Sequence, residues 1–207
     1  HSYSVGVHTI KSMGEVEADK VLRLTMLFHD FGKPQAKTTD ANGIDHFRGH
    51  QKISEELAGG ILRRLKFDNE TIRQVKKLVS CHDDHPARTP AGVRRAVKRI
   101  GTDLFPMYLK VQRADIMAQN PATREDKLAK LYVVTELYEQ ILKEKDCVTL
   151  KQMVITGRDL MMEGIPAGPG LGEVLSKLLD LVIEDPKRNE KTWLLAKAKE
   201  IYKASRE

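Results

Sequence analysis

Aromatic residues are scarce in this 207-residue chain: Phe, Tyr and Trp together make 5%, with a single Trp. A reader of single-stranded nucleic acid by stacking interleaves aromatics with basic residues, and no such platform is visible. Cysteine is scarcer still. Cys81 and Cys147 form no disulfide framework and lack the paired spacing of a structural zinc site, so both are expected as reduced thiols and the cytoplasm as the compartment. No apolar run approaches the roughly 20 residues that cross a bilayer, so no membrane partner is expected. The mixed, polar first residues read as no secretory signal. A start on His1 instead of Met is expected of a fragment.

Hydrophobic residues make 41% and charged residues 31%, enough apolar surface for a sizeable core. The formal charge of +6 favours acidic partners such as RNA or phosphorylated molecules. Two basic segments stand out: Arg88, Arg94, Arg95, Lys98 and Arg99, and Arg63, Arg64, Lys66, Arg73, Lys76 and Lys77. Either is a candidate RNA-facing surface, although a charge run is more often a solvated face.

Helical periodicity dominates, and no period-2 strand with hairpin punctuation is evident, so the fold class is all-α. Helices are expected over about Tyr3–Val16, Ala18–Asp30 and from Phe47 through Leu65. A fourth, capped by Asp68 or Asn69, runs through His82. The Thr-Thr-Asp-Ala-Asn-Gly cluster within residues 35–45 reads as a loop. Thr89-Pro90 starts another helix, Thr102 caps the next, and a long one covers about Arg124–Lys143. Beyond Lys145 the texture changes. Thr156 and Asp159 have the form of a capping box, and residues 164–170 are too rich in Gly and Pro for regular structure. A helix over about Leu171–Ile183 and a last one capped by Asn189 follow, with Trp193 packing it. The expected division is a first domain over 1–145 and a small helical tail over 146–207.

The chemistry concentrates in histidine and aspartate. His29-Asp30 ends an apolar run, with His8 upstream and His50, His82 and Asp115 downstream. The spacing puts His50 and His82 on apolar stripes. A lone histidine there is usually a hydrogen-bonded core residue, but six donors from five expected helices can converge on metal. Imidazole with carboxylate suits a divalent transition ion: Mn, Ni, Co, Fe or Zn, with Mg also admissible. His8, His29, Asp30 and Asp115 are expected to hold one ion, and Asp30 to bridge to a second held by His50 and His82. Asp83, Asp84 and His85 follow His82 and are candidates to hydrogen-bond a ligating ring.

Through His8, His29-Asp30 and Asp115 the chain resembles the HD-domain superfamily of metal-dependent phosphohydrolases. Residues 1–9 (His-Ser-Tyr-Ser-Val-Gly-Val-His-Thr), Leu27 to Pro34 and Asp45 to His50 look like the HD portion of bacterial CCA-adding enzymes, the tRNA nucleotidyltransferases. Ile155 to Met161 and Gly168 to Gly172 look like the C-terminal helical region of the same enzymes. The resemblance implies an HD-domain helical bundle with a small C-terminal appendage. It departs in one respect, because those enzymes carry a nucleotidyltransferase head with a catalytic Asp-x-Asp, and this sequence has no such triplet.

The function expected first is a phosphohydrolase, a phosphodiesterase or phosphatase. By resemblance it acts on nucleotide-type phosphoesters such as 2′,3′-cyclic phosphates or 2′-nucleotides, through attack by metal-activated hydroxide. Asp30 would bridge and orient, and Lys33 would neutralise phosphate charge as a catalytic and binding group. His46 and His85 are candidate substrate contacts. The alternative is a tRNA-binding body and tail for a nucleotidyltransferase head. A third reading is a di-iron oxygenase.

Overall fold

The computed structural model describes residues 4–205 and groups them into two compact units, one of residues 4–85 and 100–135, the other of 86–99 and 136–205. His1, Ser2 and Tyr3, which carry part of the N-terminal motif and the expected helix start, lie outside the described residues. The architecture is all-α, with a single two-stranded ribbon among the described residues. No helix among these residues is long and apolar enough to cross a membrane.

In the first unit, α1 (Val5–Gly14) starts where the Ser4 hydroxyl accepts the Val7 N–H. The carboxylate of Asp19 accepts the Leu22 N–H at 2.9 Å and starts α2 (Lys20–Phe28). These caps satisfy amide groups that a helix end otherwise leaves open. Apolar spacing on α2 turns Leu22 and Met26 inward, where they meet Val16 and, from α7 (Phe105–Ala118), Val111 and Ala114.

After α2 the chain makes one short turn, α3 (Lys33–Ala36), then a ribbon of β1 (Thr38–Thr39) and β2 (Asp45–His46). The sequence reads this stretch as a loop. The ribbon is built by Asp40, whose carboxylate accepts the N–H groups of Asn42 and Ile44, and by Gly43 at φ +76°. Gly49, at φ +78°, leads into α4 (His50–Arg64), which therefore begins three residues later than the expected Phe47. Gly32 lies hard against that helix. Its N–H donates to Ser54 Oγ at 2.8 Å, and a Cβ there would stand 2.3 Å from the His50 carbonyl oxygen. Asp68 caps α5 (Asn69–Cys81) through the Thr71 N–H at 2.8 Å, and α5 packs along α4 and α2.

Thr102 caps nothing. It sits in the turn between α6 (Pro90–Ile100) and α7, and α7 begins at Phe105 with Pro106 in its first turn, where proline's fixed φ is already helical. The long α8 (Pro121–Glu144) follows.

In the second unit, the Gly92 N–H donates to Thr89 Oγ1, so Thr89 caps α6 as its Thr-Pro sequence indicates. The capping box forms at α9 (Gly157–Met162), with Asp159 Oδ2 accepting from the Thr156 N–H and hydroxyl. Ile155, Leu160, Ile165, Leu178 and Leu194 fill a core between α9, α10 (Pro169–Glu184) and α11 (Lys191–Ala204), and Trp193 packs against it. The cap of α11 is Glu190, not Asn189. Asn189 accepts from the Val154 N–H and donates to the Gln152 carbonyl, so its amide is already used. Segment 86–99 clusters with this unit. Arg94 explains its place: the buried guanidinium pairs with Asp146 at 2.8 Å and donates to the carbonyls of Ile183 and Glu184 at the end of α10.

Candidate metal centre

His29 and Asp30 fall just past the end of α2, His50 opens α4, His82 closes α5, His8 lies on α1 and Asp115 on α7. The first unit brings all six together. Asp30, 1% exposed, is the centre. Its Oδ2 is 3.3 Å from His29 Nε2 and 3.8 Å from His8 Nε2. Its Oδ1 is 3.4 Å from His50 Nε2 and 3.7 Å from His82 Nε2. Each carboxylate oxygen therefore addresses its own pair of imidazoles. His8, His29 and Asp30 form one group with ligand atoms within 4.8 Å of one another, and Asp30, His50 and His82 form a second. Asp115 joins the first through Oδ1, 2.8 Å from His8 Nε2 and 3.7 Å from His29 Nε2.

Main-chain carbonyls aim the rings. His29 Nδ1 donates to Met26 O at 2.7 Å, His50 Nδ1 to Phe47 O at 2.9 Å, His82 Nδ1 to Val79 O at 2.7 Å and His8 Nδ1 to Ala118 O at 3.3 Å. With the proton on Nδ1, a neutral imidazole presents its Nε2 lone pair. Those lone pairs face each other at 3.1 Å between His8 and His29 and 3.2 Å between His50 and His82. Asp30 Oδ1 is buried with no hydrogen-bond donor. Converging lone pairs and an orphaned buried carboxylate oxygen fit cations between them, and the nitrogen and oxygen donors fit a divalent transition ion.

Burial opposes ionisation of Asp30, but His29, His50 and His82 around it outweigh that and hold its carboxyl far below the usual range. Asp115 is likewise lowered, against its burial, by His8 and the other rings. His8 and His82 are raised: burial disfavours their charge, and Asp115 for the former and Asp30 for the latter override it.

The neighbouring residues divide differently from expectation. Lys33 is tied down, its Nζ 2.7 Å from Asp30 Oδ2, so its charge compensates the buried Asp30 carboxylate. His46 does not stack under His50, because it ends β2 and bonds Asp40 at 2.9 Å; it nevertheless lines the cleft. Asp83 accepts from Gln51, the Asp84 carbonyl accepts from Tyr108, and Val79 O receives His82 Nδ1. His85 is exposed, 3.8 Å from Asp83, and does not line the cleft. Gln119 was not anticipated; one turn after Asp115, its Nε2 donates to Asp115 Oδ2 at 2.7 Å, a partnership that its i+4 spacing would have indicated. Nor were Arg48 and Lys127, which line the same cleft of about 1050 Å³.

In the basic segment around α6 the buried Arg94 pairs with Asp146, while the exposed Arg95 pairs with Glu184 and the half-buried Lys98 with Asp180 at 2.6 Å. In the other segment Arg73 pairs with Glu70 and Asp103, and Lys76 with Glu55.

Residues 38–198 match the family described as tRNA nucleotidyltransferase domain 2. The chain belongs to this family. It is 31% identical over 170 residues to the CC-adding tRNA nucleotidyltransferase of Thermus thermophilus, covering 81% of this chain and 37% of that protein. With the A-adding tRNA nucleotidyltransferase of Deinococcus radiodurans it shares 29% identity over 188 residues, 87% of this chain and 43% of the relative. The chain thus spans about two-fifths of the length of these relatives. A relation to the CCA-adding enzymes follows. The family match begins after His8, His29 and Asp30, and takes in His50, His82 and Asp115.

Proposed function

We propose that this chain is the tRNA-holding body of a tRNA nucleotidyltransferase-type protein, and that its first unit carries an HD-type, metal-dependent phosphoester hydrolase. The family match over 38–198 supports the first half. The second rests on Asp30, whose two buried oxygens each face a separate pair of imidazole lone pairs.

His8, His29, Asp30 and Asp115 would hold one ion, and Asp30, His50 and His82 a second. When bound, such ions act as Lewis acids on phosphoryl oxygen and make water nucleophilic near neutral pH. The chain's own groups prepare that chemistry. Carbonyls at Met26, Phe47, Val79 and Ala118 fix the rings in one tautomer, Lys33 balances the charge of Asp30, and Gln119 orients Asp115. Substrates of the 2′,3′-cyclic phosphate and 2′-nucleotide class fit the cleft in size.

Metal analysis with a phosphoester panel tests the hydrolase. If the chain supplied with Mn, Ni, Co or Mg cleaves none of these esters, and Asp30→Ala leaves metal content unchanged, that reading fails. For the body, tRNA affinity should fall steeply from low to moderate salt; no binding, or a flat response, sinks it.

A further inference from the structure

Two cations that line the cleft make no direct contact with its histidines and aspartates among the described residues. Arg48, in the loop between β2 and α4, lines the cleft with its guanidinium in no ion pair or hydrogen bond among the described residues. Lys127, on α8, lines it too, and among the described residues its ammonium donates only to the neutral side-chain oxygen of Gln119. Lys33, the third cation, already lies against Asp30. Of the carboxylates lining the cleft, Asp30 and Asp115 face imidazoles, and Asp83 accepts from Gln51. At about 1050 Å³ the cleft reaches the upper end of the roughly 300–1,000 Å³ that hold a drug-sized molecule.

Resting on the hydrolase reading above, we infer that Arg48 and Lys127 receive a second phosphate, the backbone phosphate adjoining the one that reacts at Asp30. The substrate is then the phosphorylated end of a polynucleotide instead of a mononucleotide. At the reacting phosphate one P–O bond to ribose breaks, water supplies the new P–O bond, and its proton goes to the departing ribose oxygen. The second phosphate keeps all its bonds. An arginine fork matches two phosphate oxygens and a lysine adds a point charge, so the pair reads backbone, not base. Among the described residues Phe47 is the one Phe, Tyr or Trp in the lining, so these residues offer little for a base to stack on.

The test compares cytidine 2′,3′-cyclic phosphate with a cytidine trinucleotide ending in the same cyclic phosphate, with Mn(II) and the full chain. Hydrogen bonds to charged groups each change equilibria by about tenfold or more. The wild type should therefore favour the trinucleotide in kcat/KM by at least about tenfold, and Arg48→Ala/Lys127→Ala should bring the ratio close to one. No preference in the wild type, or an equal loss on both substrates in the variant, overturns the inference. If neither ester is cleaved, the hydrolase reading has failed by itself. Fluorescence anisotropy with a labelled 3′-phosphorylated trinucleotide then decides the subsite: weaker binding by the double variant supports it, and equal affinity overturns it.

Discussion

His50 Nε2 and His82 Nε2 stand 3.2 Å apart, while the Nδ1 of each ring is committed to a carbonyl at position i−3. With both rings neutral no proton is left on either facing nitrogen, so the contact calls for an added proton or a cation beside Asp30 Oδ1. The relation between His8 and His29, at 3.1 Å, repeats this on the other carboxylate oxygen.

Metal stoichiometry should follow that division. We expect two ions per chain in the wild type, one in His50→Ala/His82→Ala, and neither in Asp30→Ala, measured by plasma mass spectrometry after dialysis. Added Mn(II) at about 100 times its Kd should stabilise the wild type by about 2.7 kcal/mol in thermal melts. An unaltered metal content in the histidine double variant would reduce the centre to a single ion.

Gly32→Ala places a methyl group 2.3 Å from the His50 carbonyl, so α4 must move or Gly32 must retreat. A loss of about 1–3 kcal/mol is expected from such overpacking, with weaker binding at the His50–His82 side. Gly60→Ala on the same helix meets nothing within 4 Å and should stabilise by up to about 1 kcal/mol. Urea melts of the two variants separate the effects, and a neutral Gly32→Ala would show that the contact yields freely.

Arg94 and Asp146 form a pair whose side chains are each 7% exposed. Asp146→Ala leaves the guanidinium buried without its counter-charge, and a loss of about 3–5 kcal/mol is expected. Hydrogen exchange should place that loss in α6, α10 and α11. A change below about 1 kcal/mol would mean that the carbonyls of Ile183 and Glu184 hold Arg94 unaided.

Lys191, with Thr156, holds the Asp159 carboxyl below its ordinary value of 3.8. The folded form binds that proton less tightly than the unfolded chain, so the stabilisation is complete above about pH 4 and disappears as acid takes the pH below it. Asp159→Asn should therefore lower Tm more at pH 6 than at pH 3. An equal loss at both would assign Asp159 a role independent of its charge.

Much of this was legible from the chain. Period-3.6 spacing placed the main helices, and the ligand candidates could be singled out because His29-Asp30 ends an apolar run and His50 and His82 fall on apolar stripes. The caps at Thr102 and Asn189 failed because several polar residues stood near each helix start, and tertiary bonds chose among them; Asn189 was taken by Val154 and Gln152. The ribbon around Asp40 is held by side-chain acceptors that resemble those of a loop. The burial of Arg94 within that basic cluster could not be read because its partner Asp146 is distant in sequence.

The carbonyls of Met26, Phe47 and Val79 that steer three of the four rings are supplied by the main chain, so any residue type at those positions offers the same acceptor. A centre steered in this way tolerates extensive replacement of its surroundings. Only the donors themselves, and the helix ends that present them, are tightly constrained.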